Sequence, residues 1–465
     1  MAQVYEVKLA ILGGGPAGYL AAVRAAQLGA DVAIVERDQF GGVCLNRGCI
    51  PTKALLRTVE LAALGGRGQE FGVTGQPSAV SWSAAHSRKS RVVKSLRLGV
   101  EHLLGKEQIH IFRGQGSIVN SARLAVETDE GTVTINCRNM LVATGSVPAR
   151  PNIPGVPSAA VLTSDELLSL EEVPKRLAII GGGVIGLEFA QMFNGLGTKV
   201  SIIEMAEQVL PQEDAEMAGE VLKSLKRQGM QVHLSSAVTE IITAETGTKV
   251  KFKTKDKDNQ VEADYVLLAT GRKPAVPTEL VALGAATGAQ GALVVNAQMA
   301  TTIPGIYAAG DVTGGKLLAH KAYAEGRAAV ENALGSSCGV NYQAVPSCVY
   351  IQPELATVGL NENEAAQQGR EVKLGRFYFR NNGRALCLGE RDGLVKVVAD
   401  SRTHGILGAQ IFGPQATELI SELTLAVAMG IKAEVLADLV HPHPTLSEAV
   451  MEACADVVGR AIHKG

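Results

Sequence analysis

The sequence predicts an α/β fold in which two parallel strand–helix–strand units precede a smaller α+β domain. Three observations predict it. The order strand, glycine-rich turn, helix, strand, acid occurs at residues 8–36 and again at 176–204. Each copy later closes on an apolar strand ending in Ala-Thr-Gly, at 143–145 and 269–271. After about Pro346 short alternating strands give way to helices. A chain of 465 residues accommodates about three domains of roughly 150 residues. They divide as 1–150, 151–273, a return to the central unit over 274–345, and 346–465.

In the first copy, Lys8–Leu12 is a continuous apolar strand, followed by Gly13-Gly14-Gly15-Pro16-Ala17-Gly18, an Ala-rich helix to Gly29, and the strand Asp31–Val35 ending at Glu36. The second copy runs Arg176–Ile180, Gly181-Gly182-Gly183-Val184-Ile185-Gly186, a helix to Gly197, and Lys199–Ile203 ending at Glu204. The acid follows the first glycine by the same interval in both, 36 − 13 = 204 − 181 = 23 residues. A single such turn is a weak signal. Two, each framed by strands and an acid at matched spacing, are a strong one. The glycines let the backbone approach a pyrophosphate, the helix N-terminus offers N–H donors, and the carboxylate accepts from ribose hydroxyls. Two Rossmann-like dinucleotide-binding domains are therefore expected, on Gly13, Gly15, Gly18 and Glu36, and on Gly181, Gly183, Gly186 and Glu204. The alternative for each acid is a solvated strand end.

From the last fingerprint glycine to Ala-Thr-Gly the first copy spans 145 − 18 = 127 residues and the second 271 − 186 = 85. The surplus holds a helical stretch around Ser83–Leu104 and the segment Gly41-Gly42-Val43-Cys44-Leu45-Asn46-Arg47-Gly48-Cys49-Ile50-Pro51-Thr52-Lys53. Cys44 and Cys49 read as a redox pair. Residues five apart diverge on an undistorted helix, so the chain near Gly48 must deform for the sulfurs to meet. Two unrelated buried thiols are the alternative, and no second pair completes a zinc site, so no metal is expected. Cys137, Cys338, Cys348, Cys387 and Cys454 are expected to be buried thiols.

Pro148, Pro151, Pro154 and Gly155 mark a linker, and Gly271-Arg272-Lys273-Pro274 marks the return. Gly305–Val312 is a strand ending in Gly310-Asp311, where the aspartate either meets a ligand hydroxyl or caps the next helix. In the last domain, strands at Gly393–Val398 and Ile406–Ile411 precede helices at Glu418–Met429 and Leu446–Val458. Before the final helix stands His441-Pro442-His443-Pro444-Thr445-Leu446-Ser447-Glu448. The prolines hold His443 off a regular helix, and Glu448 is close enough in sequence to orient its imidazole. A general base is favoured there over a structural histidine.

Composition narrows the partners. Lys and Arg number 44 against 46 Asp and Glu, which leaves no polyanion-binding surface, so nucleic acid is not expected. The start Met-Ala-Gln-Val-Tyr-Glu has no basic region before an apolar run, and no run of about 18 uncharged apolar residues occurs. A soluble, cytoplasmic protein without membrane contact is the expectation. An odd cysteine count of seven argues against a secreted disulfide framework.

Through Gly41–Lys53, Ala143-Thr144-Gly145, Ala309-Gly310-Asp311, Asn382-Gly383-Arg384-Ala385 and His443–Glu448, the chain resembles the flavoprotein disulfide reductases from end to end. Within that family it is most similar to the members that oxidise dihydrolipoamide. The resemblance implies FAD on the first fold, with Glu36 on the adenosine ribose, Thr144 and Gly145 at the crevice, Asp311 on the flavin side chain and Lys53 near its ring. It implies NAD on the second, with Glu204 on the ribose, Gly271 at the crevice and Glu188 between flavin and nicotinamide. Cys49 would face the flavin and Cys44 the substrate. His443, backed by Glu448, would be supplied across a homodimer interface formed by a C-terminal α+β dimerisation domain. The implied reaction is oxidation of a dihydrolipoyl group with reduction of NAD+; the alternative is an NADH-dependent reductase of another disulfide or small oxidant. Without a lipoyl-like N-terminal domain here, the lipoyl carrier is expected to be a separate protein, of a 2-oxoacid dehydrogenase or glycine cleavage complex. NADP-specific relatives place arginines after the second acid and a tyrosine in the second turn, where this chain has Met205, Ala206, Glu207 and Val184. Arg47 stands where the family often has a small apolar residue, and a cation there is expected to favour thiolate.

Overall fold

A computed structural model describes residues 3–75, 79–244 and 247–464. The first domain is built on a seven-stranded sheet. Its parallel half runs His110–Arg113, Val32–Glu36, Gln3–Leu12, Gly131–Val142, with Ile306–Ala308 also parallel on Gly131–Val142. An antiparallel meander, Gln115–Asn120 and Arg123–Thr128, extends the other edge. Helices cover the parallel strands, so residues of both strand faces are enclosed: Leu9, Ala10 and Ile11 expose nothing. That is why the segment reads as an unbroken apolar run rather than an alternation. The strand Ile306–Ala308 arrives after the second domain, so the first is assembled from two separated stretches of chain.

The second domain repeats the plan. Gln231–His233, Lys199–Ile203, Arg176–Ile180, Tyr265–Leu268 and Val161–Leu162 form a parallel sheet in that order, with a three-stranded antiparallel sheet beside it. The chain leaves the first domain along Ser146–Pro148 and returns along Arg272–Pro274, and these two strands pair antiparallel. The crossing is symmetrical. Ala149 N donates to the Gly271 carbonyl at 3.0 Å and Ala275 N to the Gly145 carbonyl at 2.9 Å. The Thr144 hydroxyl donates to the Ala275 carbonyl at 2.7 Å and that of Thr270 to the Ala149 carbonyl at 3.2 Å.

The third domain is a five-stranded antiparallel sheet ordered Ser347–Val349, Glu354–Gly359, Ile406–Gly413, Leu394–Asp400, Val372–Tyr378, packed by the helices Ala416–Met429 and Glu448–Val457. The α/β class with two repeated units and an α+β third domain is as the sequence predicts. The last helix starts at Glu448 rather than Leu446, because Pro444 and the turn after it delay helical pairing. The expected burial of all five remaining cysteines does not hold. Cys137 and Cys454 are buried, Cys338 and Cys348 partly so, and Cys387 is exposed. It lies on the short helix Gly383–Leu388, which buries only Ala385. Among the described residues no helix is long and apolar enough to cross a membrane.

Candidate active site

Both glycine-rich turns use their glycines in the same way. Gly13 and Gly181 take φ of +109° and +111°, and a Cβ on Gly18 or Gly186 would fall 1.8 or 2.1 Å from the carbonyl oxygen of that first glycine. The outer glycines are thus required by backbone packing. The middle ones are not: a Cβ on Gly183 meets nothing within 4 Å, and one on Gly15 meets only Gly42 Cα at 3.9 Å. These glycines N-cap the helices Pro16–Gln27 and Val184–Gly195, and neither helix has a side-chain cap. Open space against uncapped N–H donors fits a pyrophosphate at each turn.

The strand-end acids are tied to these turns rather than loosely solvated. Glu36 accepts from Gly14 N at 2.7 Å and Asp38 N at 2.8 Å; Glu204 accepts from Gly182 N at 2.6 Å and Ala206 N at 2.7 Å. Asp311 opens a 3-10 turn without capping it and instead accepts from the Ser146 hydroxyl at 2.6 Å. Ser146 in turn accepts from Arg272 Nε at 2.8 Å, so the returning linker orients Asp311. Gly145 and Gly271, at φ of +73° and +99°, leave open space beside each crevice.

The cysteine segment is pressed against the first turn, where a Cβ on Gly42 would lie 2.7 Å from Gly15 Cα. The helix Gly42–Arg47 stops at Gly48, whose φ/ψ of −138°/−108° leaves the helical path, and Cys49–Gly66 begins a new helix. Asn46 Nδ2 donates to the Gly42 carbonyl at 2.9 Å, and the Thr52 hydroxyl donates to the Gly48 carbonyl at 2.7 Å, which fixes both sides of the break. Cys44 and Cys49 come together across it as free thiols close enough to shift one another's titration. The Cys44 thiol lowers the pKa of Cys49 to about 7; burial opposes this and the Lys53 ammonium reinforces it. Cys44 is pushed strongly upward by its side-chain interaction with Cys49 and by burial. The cation expected from Arg47 is turned away. Its guanidinium pairs with Asp38 at 2.6 Å and Asp165 at 3.3 Å, and Lys53 supplies the positive charge instead.

Lys53 is itself held across domains. Its ammonium donates to both oxygens of the buried Glu188 at 2.8 Å and sits 4.4 Å from the centre of the Tyr350 ring, while Tyr350 N donates to Glu188 at 3.1 Å. One ion pair therefore joins the cysteine helix, the second fingerprint helix and the third domain. Tyr350 went unnoticed in the sequence because nothing around it signals a charge.

In the third domain, His443 Nδ1 lies 2.9 Å from Glu448 Oε1, and Thr445 N donates to the other carboxylate oxygen at 2.8 Å. Burial acts to raise the pKa of Glu448, but these two partners outweigh it and hold the carboxyl below its usual range. The His443 side chain is 78% exposed and joined to nothing in the Cys44–Cys49 region of its own chain. Asn382 Nδ2 donates to the Thr445 carbonyl at 3.0 Å and so braces this loop. The Asn-Gly-Arg-Ala segment had no evident task in the sequence. Around the loop Val440, Ile462, Met429 and Leu425 are 92%, 81%, 70% and 60% exposed, a strongly apolar surface.

A family model described as pyridine nucleotide-disulphide oxidoreductase matches residues 7–326, and one for its dimerisation domain matches 345–454. Similar proteins include dihydrolipoyl dehydrogenase 3 of Haloarcula marismortui, 38% identical over 98% of this chain and 97% of its own. A dihydrolipoyl dehydrogenase of Bacillus subtilis is 38% identical over 98% and 99%. Among solved structures, LpdA from Mycobacterium tuberculosis superposes with a TM-score of 0.89 at 27% identity, covering 97% of this chain and 99% of that one. The copper(II) complex of the HOCl-induced flavoprotein disulfide reductase RclA from Escherichia coli gives 0.87 at 31% identity, over 97% and 99%.

Proposed function

Because the chain belongs to the pyridine nucleotide-disulphide oxidoreductases, a family of dimeric enzymes that use FAD and NAD(H), we propose that it oxidises dihydrolipoyl groups and reduces NAD+. The observation that carries this reading is the exposed His443 backed by Glu448. A dithiol substrate must lose a proton before it can attack a disulfide, and an imidazole is the side chain suited to accept it at neutral pH.

The reaction begins with the Cys44–Cys49 pair as a disulfide. His443 of the partner subunit takes a proton from one substrate thiol, and the thiolate attacks Cys44 Sγ. The Cys44–Cys49 bond breaks and Cys49 leaves as a thiolate, stabilised by Lys53, which Glu188 keeps in place. The second substrate thiol gives up its proton and attacks the substrate sulfur of the mixed disulfide. Cys44 departs as a thiol and the cyclic product disulfide is released. Two protons have left the substrate, one now on Cys44 and one on the imidazole.

Gly13, Gly15, Gly18, Glu36, Thr144, Gly145 and Asp311 would hold FAD, which when bound would supply the two-electron relay from the dithiol to NAD+. Gly181, Gly183, Gly186, Glu188, Glu204 and Gly271 hold the nicotinamide nucleotide. Met205, 77% exposed, and Glu207 follow the ribose acid and offer a 2′-phosphate no cation. The dihydrolipoyl group is borne by a separate carrier protein of a 2-oxoacid dehydrogenase or glycine cleavage system.

A second reading, an NADH-driven reductase of another disulfide or small oxidant, draws on the likeness to RclA. Steady-state assay of the purified flavoprotein decides between them. Rapid turnover of dihydrolipoamide with NAD+, and slow turnover of glutathione disulfide with either NADH or NADPH, is the expected result. No dihydrolipoamide oxidation by a fully flavinated enzyme would overturn the proposal.

A further inference from the structure

A single polar row crosses all five strands of the third-domain sheet. Ser347 pairs with Thr357, Thr357 with Gln410, Gln410 with Lys396 and Lys396 with Arg376, so all five lie on one face. That face meets the second domain at Glu213, Asp214 and Glu216. The Ser347 and Thr357 hydroxyls donate to Glu213 at 3.2 and 3.0 Å. Lys396, 2% exposed, reaches Asp214 at 2.9 Å and Glu216 at 3.1 Å, and Arg376 donates to Glu216 at 2.9 Å.

These acids end the segment that begins at Glu204. Between them the chain is pinned once to the fingerprint turn, where Leu210 N donates to the Gly182 carbonyl at 2.9 Å, and Glu213 N donates to the Leu210 carbonyl at 2.9 Å. Asp214 also N-caps the following helix Ala215–Arg227, accepting from Glu216 N and Met217 N, while its other oxygen takes the lysine. The acids and Glu204 are thus opposite ends of one segment, anchored between them at Gly182 and, through Ser235 N donating to the Ala206 carbonyl at 2.8 Å, at the turn after Gln231–His233.

We propose that this row, with Lys396 at its centre, positions the Glu204 segment and so sets affinity for the nicotinamide nucleotide from another domain. The inference rests on the reading that Glu204 receives the NAD ribose. Lys396 and Arg376 are positioning residues, since they act through Asp214 and Glu216. A buried lysine that served only to join the domains would alter stability without favouring one substrate over the other.

The test is a comparison of Michaelis constants in the flavinated dimer. Lys396→Met should raise KM for NAD+ about tenfold while KM for dihydrolipoamide and flavin content stay within about twofold, and Lys396→Arg should recover most of the loss. Both constants unchanged, both raised together, or an arginine variant no better than methionine overturns the proposal. If Lys396→Met yields no soluble flavoprotein, Arg376→Met removes one of the two cations that hold Glu216, at a part-exposed site, and should raise KM for NAD+ about threefold; no rise overturns it. Glu204→Ala is run alongside. A rise there without one in Lys396→Met removes this inference and leaves the ribose reading. No rise in Glu204→Ala overturns both.

Discussion

At the level of single residues, the two half-sites answer to different measurements. His443→Gln should slow dihydrolipoamide oxidation by about a hundredfold, the usual scale for a lost general base. Flavin reduction by NADH in stopped-flow should stay fast, because no substrate thiol is deprotonated in that half-reaction. Equal slowing of both would make His443 structural. The pKa of the Cys49 thiol is lowered to about 7 by its interaction with Cys44 and by Lys53, so thiolate absorbance of the reduced pair should grow as pH rises through neutrality and be lost below it. Removing the cation in Lys53→Met should move that midpoint upward, with Arg47→Met leaving it in place because Asp38 and Asp165 already hold that guanidinium. A midpoint that moved with Arg47 and not with Lys53 would contradict the assignment. Sequence reading singled out the cysteines, the histidine and both strand-end acids. It left the effect of Arg47 open, because proximity in sequence says nothing about which way a long side chain turns.

The glycine-rich turns permit a sharper test at the level of an element, since glycines three residues apart have opposite jobs. Gly186→Ala would drive a methyl to 2.1 Å from the Gly181 carbonyl oxygen and should destabilise the second domain by about 1–3 kcal/mol, seen as a lowered unfolding midpoint. Gly183→Ala adds its methyl to open space at φ −81°, so the unfolding midpoint should hold while NAD+ binding weakens. A reversed pattern would mean that the open space at Gly183 is not where the nucleotide lies. Strands and helices of the two repeats were legible because parallel strands covered on both faces must be apolar throughout. The polar row of the third domain was not. Thr357 and Lys396 sit within strands that otherwise read as apolar, and their bonds to Glu213 and Asp214 of another domain explain their burial.

At the level of the whole molecule, an exposed His443 bonded to no thiol among the described residues makes subunit mixing informative. Neither Cys49→Ser nor His443→Gln homodimers should oxidise dihydrolipoamide appreciably. A mixed dimer of the two would place both lesions in one site and leave the other intact, so about half of the wild-type rate should return. If the histidine served its own subunit, mixing would restore nothing, and the rate of purified heterodimers distinguishes the cases. In the sequence such sharing is implied by the family resemblance alone, since it depends on a second copy of the same surface. The antiparallel pairing of Ser146–Pro148 with Arg272–Pro274 bears on how such a protein diversifies. The nucleotide unit between them enters and leaves by one doorway, so a homologous unit can be spliced in at those two points without rerouting the remaining chain. Cofactor preference is then a transplantable trait, on condition that the graft brings its own acids for the third domain to grip.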